Sequence, residues 1–133
     1  MLILEGSDLI GKSTAYKMLS KYLNVQDRHM PFTEAIKPDS IDVKTIKQEV
    51  AEHRDWLFVI LYVSNNEWFD VRLSRRDNPD EFDVQCRAYN QGYIAASKLL
   101  VDYPNVISID VYGLDPYQKC GKIFSEYLKY ENS

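Results

Sequence analysis

The apolar residues of the chain fall into segments of two kinds. Runs rich in apolar residues occupy positions 1–5, 56–63 and 106–111, and the middle run is apolar without interruption. Continuous apolarity of this kind is typical of strands covered on both faces, as in a parallel sheet flanked by helices. We therefore predict strands at these three places, and a fourth, very short strand at 25–28.

Between these strands, apolar residues recur every three or four positions, which indicates amphipathic helices. Helices are predicted at 12–23, 40–53, 65–76, 80–101 and 115–130. Strands that alternate with helices predict an α/β fold of three layers, in which a mostly parallel four-stranded sheet lies between helices. The 133 residues fit one domain.

Several residues are expected to mark where the helices begin, end and pack. We expect Asn24 to close the first helix in a left-handed conformation and Ser40 to cap the second. Prolines interrupt residues 29–40, for which no regular element is predicted. In the long helix, Val84 and Leu99 are among the candidate core positions.

A glycine-bearing segment lies between the first strand and the first helix. It matches G-x-x-x-x-G-K-[ST], the pattern of the phosphate-binding loop of nucleoside triphosphatases, and the strand and helix around it are the context that this loop requires. Glycine permits a tight turn and a close approach of the backbone to phosphate. The predicted binding residues are Gly6, Ser7, Asp8, Leu9, Ile10, Gly11, Lys12, Ser13 and Thr14.

The pattern also predicts individual contacts to ATP and Mg²⁺. Lys12 would reach the β- and γ-phosphates, Ser13 would ligate Mg²⁺ through its hydroxyl, and Thr14 would donate to the α-phosphate.

Charge and composition narrow the possible partners and surroundings. The net charge of −4 argues against a nucleic-acid-binding protein, because no large basic field exists. The longest apolar run is too short to span a bilayer, and the first strand begins at the first residue, so we expect no membrane segment, no signal peptide and a cytoplasmic location. Cys86 and Cys120 are expected to be reduced.

Three segments carry a resemblance to a known family. Residues 5–14 read like the E-G-x-D-x-x-G-K-[ST]-T loop of the thymidylate kinases and related deoxynucleoside kinases. Residues 27–33 look like the D-R-x-x-x-[ST] segment of that family. Residues 72–77 follow the third strand much as the arginine-bearing lid of these kinases does. The resemblance covers most of the chain and implies a nucleotide kinase.

The resemblance implies a role for each matching side chain. Asp8 would hydrogen-bond the acceptor sugar, and Glu5 would lie near the acceptor oxygen or a metal-bound water. Asp27 would hold Mg²⁺ or activate the acceptor, and Arg28 would grip the acceptor phosphate. The lid residues would close over the transferred phosphoryl group, and these are Arg72, Arg75 and Arg76.

Each role has a structural alternative. Glu5 can be a strand-end residue with a structural hydrogen bond, and Asp8 a turn former. Asp27 and Arg28 can form a surface ion pair, and the three arginines have the spacing of a solvated helix face. His29 is expected to be an ordinary loop histidine. Tyr89 and Tyr93, four residues apart, more often indicate core packing than base stacking.

The chain departs from the family between Leu23 and Asp27. The kinases have a further strand and helices there, whereas this gap is too short for a βα unit. We therefore predict four strands, ordered with the 25–28 strand at one edge, then 1–5, 56–63 and 106–111. The walls of an acceptor site would have to come from residues 29–40, another subunit or a partner. The third strand ends at Ser64, where the family often has Asp.

Three functions compete at this stage. The first is an ATP-dependent kinase that transfers the γ-phosphoryl group to a (deoxy)nucleoside monophosphate. The second is a nucleoside triphosphate-binding protein without kinase activity, with a regulatory or interaction role. The third is a kinase of polynucleotide ends, against which the acidic charge counts. The expected partners are a triphosphate donor and a small nucleotide acceptor, and the resemblance suggests a homodimer.

Overall fold

Four parallel strands form the centre of the protein. The computed structural model describes residues 1–133. The sheet has the order β2-β1-β3-β4 and every neighbouring pair is parallel. The predicted strand order and fold class are thereby confirmed. The strands are β1 (Leu2–Glu5), β2 (Val25–Gln26), β3 (Leu57–Tyr62) and β4 (Val106–Asp110).

Seven helices cover the two faces of the sheet, and none combines the length and apolarity needed to cross a membrane. They are α1 (Lys12–Leu19), α2 (Met30–Glu34), α3 (Val43–Glu52), α4 (Glu67–Ser74), α5 (Glu81–Val84), α6 (Cys86–Leu99) and α7 (Pro116–Glu131).

Alternation along the strands divides the core into two clusters, because successive side chains of a strand point to opposite faces. Leu2 and Leu4 belong to a cluster that includes residues of α1, α4 and α7. Ile3 belongs to a second cluster, which includes residues of α2, α3 and α6. The result is the predicted three-layer arrangement, and the carboxyl ends of β1, β2 and β3 reach one edge of the sheet. Cys86 and Cys120 are buried and free.

The first half of the chain differs from the prediction at its element boundaries. The first helix ends at Leu19 rather than at residue 23, and Asn24 does not adopt a left-handed conformation. Asp42, not Ser40, caps α3, because its carboxylate accepts a hydrogen bond from the Thr45 amide at 3.1 Å. Residues 29–40 contain the short helix α2, with Pro31 in its first turn, where a missing amide costs no hydrogen bond.

The long helix predicted for residues 80–101 is two helices, which is a correction. Asp80 and Asp83 form a reciprocal capping box that starts α5, and Gln85 separates α5 from α6. Because the break changes the helical phase, Val84 is 65% exposed and not in the core. Leu99, at the end of α6, is 40% exposed.

Candidate functional site

Loop 6–14 joins β1 to α1 in a conformation that depends on its two glycines. Gly11 has a φ of 89°, in the left-handed region, and a Cβ at this position would overlap Lys119 Nζ. A Cβ on Gly6 would lie 2.9 Å from the carbonyl oxygen of Leu61. Packing against the backbone therefore favours glycine at position 6, and the left-handed backbone conformation favours it at position 11, before any ligand is considered.

Two long-range hydrogen bonds hold the middle of the loop. Trp68 Nε1, on α4, donates to the Leu9 carbonyl at 2.9 Å. Lys119 Nζ, on α7, donates to the Ile10 carbonyl at 2.9 Å. Leu9 has a φ of 65°, which is unusual for a residue with a side chain. The carbonyls are thus bonded to the protein, which fixes the orientation of the peptide groups and leaves loop amides to bind an anion.

Lys119 and Trp68 are residues of this site that the sequence analysis missed, and Lys119 is the more unusual of the two. It is 4% exposed, and burial lowers the pKa of its ammonium group. Its Nζ lies 5.3 Å from the centre of the Trp68 ring. The burial of Lys119 could have been predicted from its spacing in the last helix. Lys119 lies four positions before the buried Ile123, so the two side chains share the face of the helix that packs against the core.

A cavity of about 370 Å³, here called the arginine cavity, opens over the loop. Lys12 and three arginines line it, and Asp8 is its one carboxylate. This excess of positive charge, together with the first turn of α1, suits a polyanion such as a triphosphate. The lining residues are Ser7, Asp8, Leu9, Gly11, Lys12, Ser13, Thr14, Arg72, Arg75 and Arg76.

The three arginines predicted as a lid all line this cavity. Arg72 is fixed in place because its guanidinium stacks on Trp68, 3.3 Å from the ring centre. Burial, followed by repulsion from Arg75, lowers the pKa of Arg72. Three guanidinium groups that line one cavity favour an anion between them.

A second cavity of about 220 Å³, here called the aromatic cavity, adjoins the first. Ser7, Asp8 and Lys12 line both cavities, and Gly6 lines only the aromatic cavity. The remaining walls come from the segment at Arg28, from α2 and the residues that follow it, and from α5 and α6. The residues that form these walls are Arg28, Met30, Thr33, Glu34, Ile36, Lys37, Phe82, Tyr89 and Tyr93.

Glu5 organises the region behind the aromatic cavity. Its side chain is fully buried, and it accepts hydrogen bonds from the His29 amide at 2.7 Å, the Thr33 hydroxyl at 2.6 Å and the Tyr93 hydroxyl at 3.4 Å. Burial raises the pKa of Glu5 to about 7. Glu5 lines neither cavity, so its visible role is to attach α2 and α6 to the end of β1.

Asp8 lies between the two cavities and beside two further carboxylates. Carboxylate oxygens of Asp8, Asp80 and Asp83 lie within 4.8 Å of one another. Burial, followed by the neighbouring Asp83 carboxyl group, raises the pKa of Asp8. Asp83 is 2% exposed, and its Oδ1 has no hydrogen-bond partner.

The structure separates the other predicted residues. Arg28 reaches the aromatic cavity, whereas Asp27 lines neither cavity, although its Oδ1 is buried without a hydrogen-bond partner. Oxygen donors suited to Mg²⁺ are present in the arginine cavity, where Ser13 and Asp8 both reach the surface. Of the two predicted Mg²⁺ ligands, Ser13 lines this cavity and Asp27 does not, whereas Asp8 does.

Comparison of the chain with protein-family models, with curated proteins and with solved structures finds no match.

Proposed function

We propose that the protein is an ATP-dependent nucleotide kinase that transfers the γ-phosphoryl group to a (deoxy)nucleoside monophosphate. The observation that carries this proposal is the wall common to both cavities, in which Lys12 faces each of them. A donor in one cavity and an acceptor in the other would meet at this lysine.

The arginine cavity suits the donor. The amides of loop 6–14 and Lys12 would hold the β- and γ-phosphates, and Arg72, Arg75 and Arg76 would neutralise the charge of the moving phosphoryl group. Phosphoryl transfer depends mainly on this kind of positioning and charge stabilisation. Mg²⁺ held by Ser13, Asp8 and the phosphates would further neutralise negative charge.

The aromatic cavity suits the acceptor. Phe82 and Tyr89, whose ring centres are 6.0 Å apart, offer apolar surface for a base. Arg28 and Lys37 at the same cavity offer positive charge for a phosphate. The segment before Asp27 is too short to form the walls of an acceptor site. In this proposal α2, α5 and α6 form those walls instead.

The test is acceptor-stimulated release of ADP, measured with a panel of nucleosides and nucleoside monophosphates. We expect monophosphates to stimulate release, and Lys12→Ala to abolish the stimulation. Lys17→Ala is the matched control, since Lys17 is an exposed lysine of the same helix outside both cavities. If no acceptor raises release above the Lys12→Ala background, the protein is not a nucleotide kinase.

A second variant identifies the acceptor's charged group. Arg28→Ala should raise KM for monophosphates roughly tenfold or more, because hydrogen bonds to charged groups contribute about 1.5–3 kcal/mol. It should leave any activity on nucleosides unchanged. Arg54→Ala, which removes an exposed arginine elsewhere, should have neither effect.

A specific observation favours a second candidate function, binding of nucleoside triphosphate without transfer. Asp8 is the only carboxylate of the arginine cavity, and Glu5 and Asp27 line neither cavity. A protein with this role would bind ATP in calorimetry, lose binding on Lys12→Ala, and show no acceptor-stimulated turnover.

A further inference from the structure

The two histidines of the chain meet on a single carboxylate, and none of these three residues lines either cavity. His29 Nε2 lies 2.7 Å from Glu49 Oε2, and His53 Nε2 lies 3.4 Å from the same oxygen. His29 precedes α2, Glu49 lies in the last turns of α3, and His53 follows α3 directly. Two separate parts of the chain thus bring imidazole to one point.

A hydrogen bond explains only part of this arrangement. The contact between His29 and Glu49 has the length of a good hydrogen bond, whereas the contact from His53 to the same oxygen has the length of an ion pair and lies beyond the usual N–H···O range of about 2.7–3.2 Å. Ligand atoms at about 2.0–2.1 Å from a tetrahedral zinc ion are separated by roughly 3.3 Å. The distance from His53 Nε2 to Glu49 Oε2 is already close to this value. The distance from His29 Nε2 to the same oxygen would need to increase by roughly 0.6 Å.

The surroundings hold the imidazoles in place and leave room for solvent. The His53 ring stacks on Trp56 with ring centres 3.9 Å apart, and the His29 ring meets the same indole edge-on at 5.1 Å. Asn105 donates to the backbone carbonyl of His53 at 3.1 Å and fixes the end of α3. The three ligand side chains are 14–30% exposed, so that water can complete the coordination.

We propose that His29, Glu49 and His53 bind a divalent cation of the zinc class. Two neutral imidazoles and one carboxylate are typical zinc ligands, with a water molecule in the fourth position. The ion would attach the turn before α2 to α3. The backbone amide of His29 donates to Glu5, so the ion would also fix the segment that carries Met30 and Thr33 to the aromatic cavity.

The test is titration of the full chain with Co²⁺ in the absence of nucleotide, with visible absorption as the readout. Zn²⁺ is then added to measure whether it displaces the bound Co²⁺. We expect one ion per chain with the absorption of a tetrahedral site. His53→Ala and Glu49→Gln should each weaken binding at least about tenfold. Glu52→Gln is the matched control, because Glu52 is an exposed carboxylate of the same helix, and it should bind as the unaltered chain does.

Two further measurements make the outcome decisive. His29→Ala should weaken Co²⁺ binding as strongly as His53→Ala, with circular dichroism used to verify that each variant is folded. Absence of saturable binding, or equal affinity in the unaltered chain and the His53→Ala variant, would overturn the proposal and leave a hydrogen-bonded cluster only. Lys12→Ala should retain Co²⁺ binding, so failure of the kinase proposal is distinguishable from failure of this one.

Discussion

Lys119 and Trp68 reach loop 6–14 from helices that are far apart in the sequence. Each donates to one carbonyl of the loop, and neither belongs to the residues that the phosphate-loop pattern specifies. Lys119 also fills the space that a side chain at Gly11 would occupy. At the scale of single residues, the shape of the loop therefore depends on contacts with α4 and α7 as much as on its own glycines.

Replacement of Lys119 tests this dependence. Lys119→Met keeps the aliphatic bulk but leaves the Ile10 carbonyl without a partner, which costs about 1–3 kcal/mol. If the whole of this cost falls on the nucleotide-binding conformation of the loop, ATP affinity should fall roughly 5- to 150-fold, measured by calorimetry. Lys122→Met, an exposed lysine of the same helix, is the control. Equal ATP affinities for the two variants would show that the loop keeps its shape without Lys119.

Glu5 leads to a prediction about pH. Its pKa is raised from 4.5 to about 7 in the folded protein, so the folded state holds this proton more tightly than the unfolded state does. The contribution of Glu5 to the free energy of unfolding is therefore highest below about pH 4.5 and falls by about 3 kcal/mol as the pH rises to 7.

Glu5→Gln should remove this fall, because the amide does not titrate. The measurement is urea denaturation at several pH values, with the exposed Glu131→Gln as control. A variant that loses as much stability between pH 4.5 and 7 as the unaltered chain would contradict the assignment of the proton to Glu5.

At the scale of elements, α5 and α6 give the aromatic cavity a wall that the sequence did not reveal. The capping box of Asp80 and Asp83 starts a short helix, and the break at Gln85 turns Phe82 towards Tyr89. The spacing of apolar residues predicted one long helix at 80–101. The break at Gln85 was missed because the apolar pattern continues across it and the local sequence gives only a weak sign that one helix ends and another begins. The apolar strands β1, β3 and β4 were predicted to within one residue at each end, because their apolarity is a local property of the sequence, whereas β2 covers only Val25–Gln26 of the predicted range 25–28.

The wall can be tested by shortening one side chain. If Phe82 stacks on the acceptor base, Phe82→Ala should raise the acceptor KM roughly tenfold, since a stacked base contributes about 1–3 kcal/mol. ATP affinity should remain unchanged. Val84→Ala is the control, because Val84 is exposed on the same helix and lines neither cavity. An unchanged acceptor KM would place the base elsewhere.

At the scale of the whole molecule, the sequence predicted the framework better than the site. Four strands, their order and the position of the loop between the first strand and the first helix were predicted from apolar runs, the loop pattern and the family resemblance. Trp68 and Lys119 were not, since they lie 59 and 109 positions from their loop partners. Contacts between residues so far apart in the sequence depend on how the helices pack, and the local sequence gives little sign of them.

The arginine cavity is lined by loop 6–14, the start of α1 and the arginines at and just after the end of α4, so a nucleotide bound there should stabilise the folded chain. At an ATP concentration of 100 times Kd, mass action adds about 2.7 kcal/mol. For a domain of this size we expect a rise in Tm of about 10 °C, measured by differential scanning fluorimetry with Mg²⁺ and ATP. Lys12→Ala should show little rise; a full rise in that variant would move the nucleotide away from loop 6–14.

The wall common to the two cavities has a thermodynamic consequence. A donor and an acceptor that both bear negative charge would draw on the single ammonium group of Lys12, so their binding free energies are not independent. Whatever factor ATP imposes on the affinity for the acceptor, the acceptor must impose the same factor on the affinity for ATP. The coupling free energy between the two cavities can thus be measured from either side, and the two values must agree.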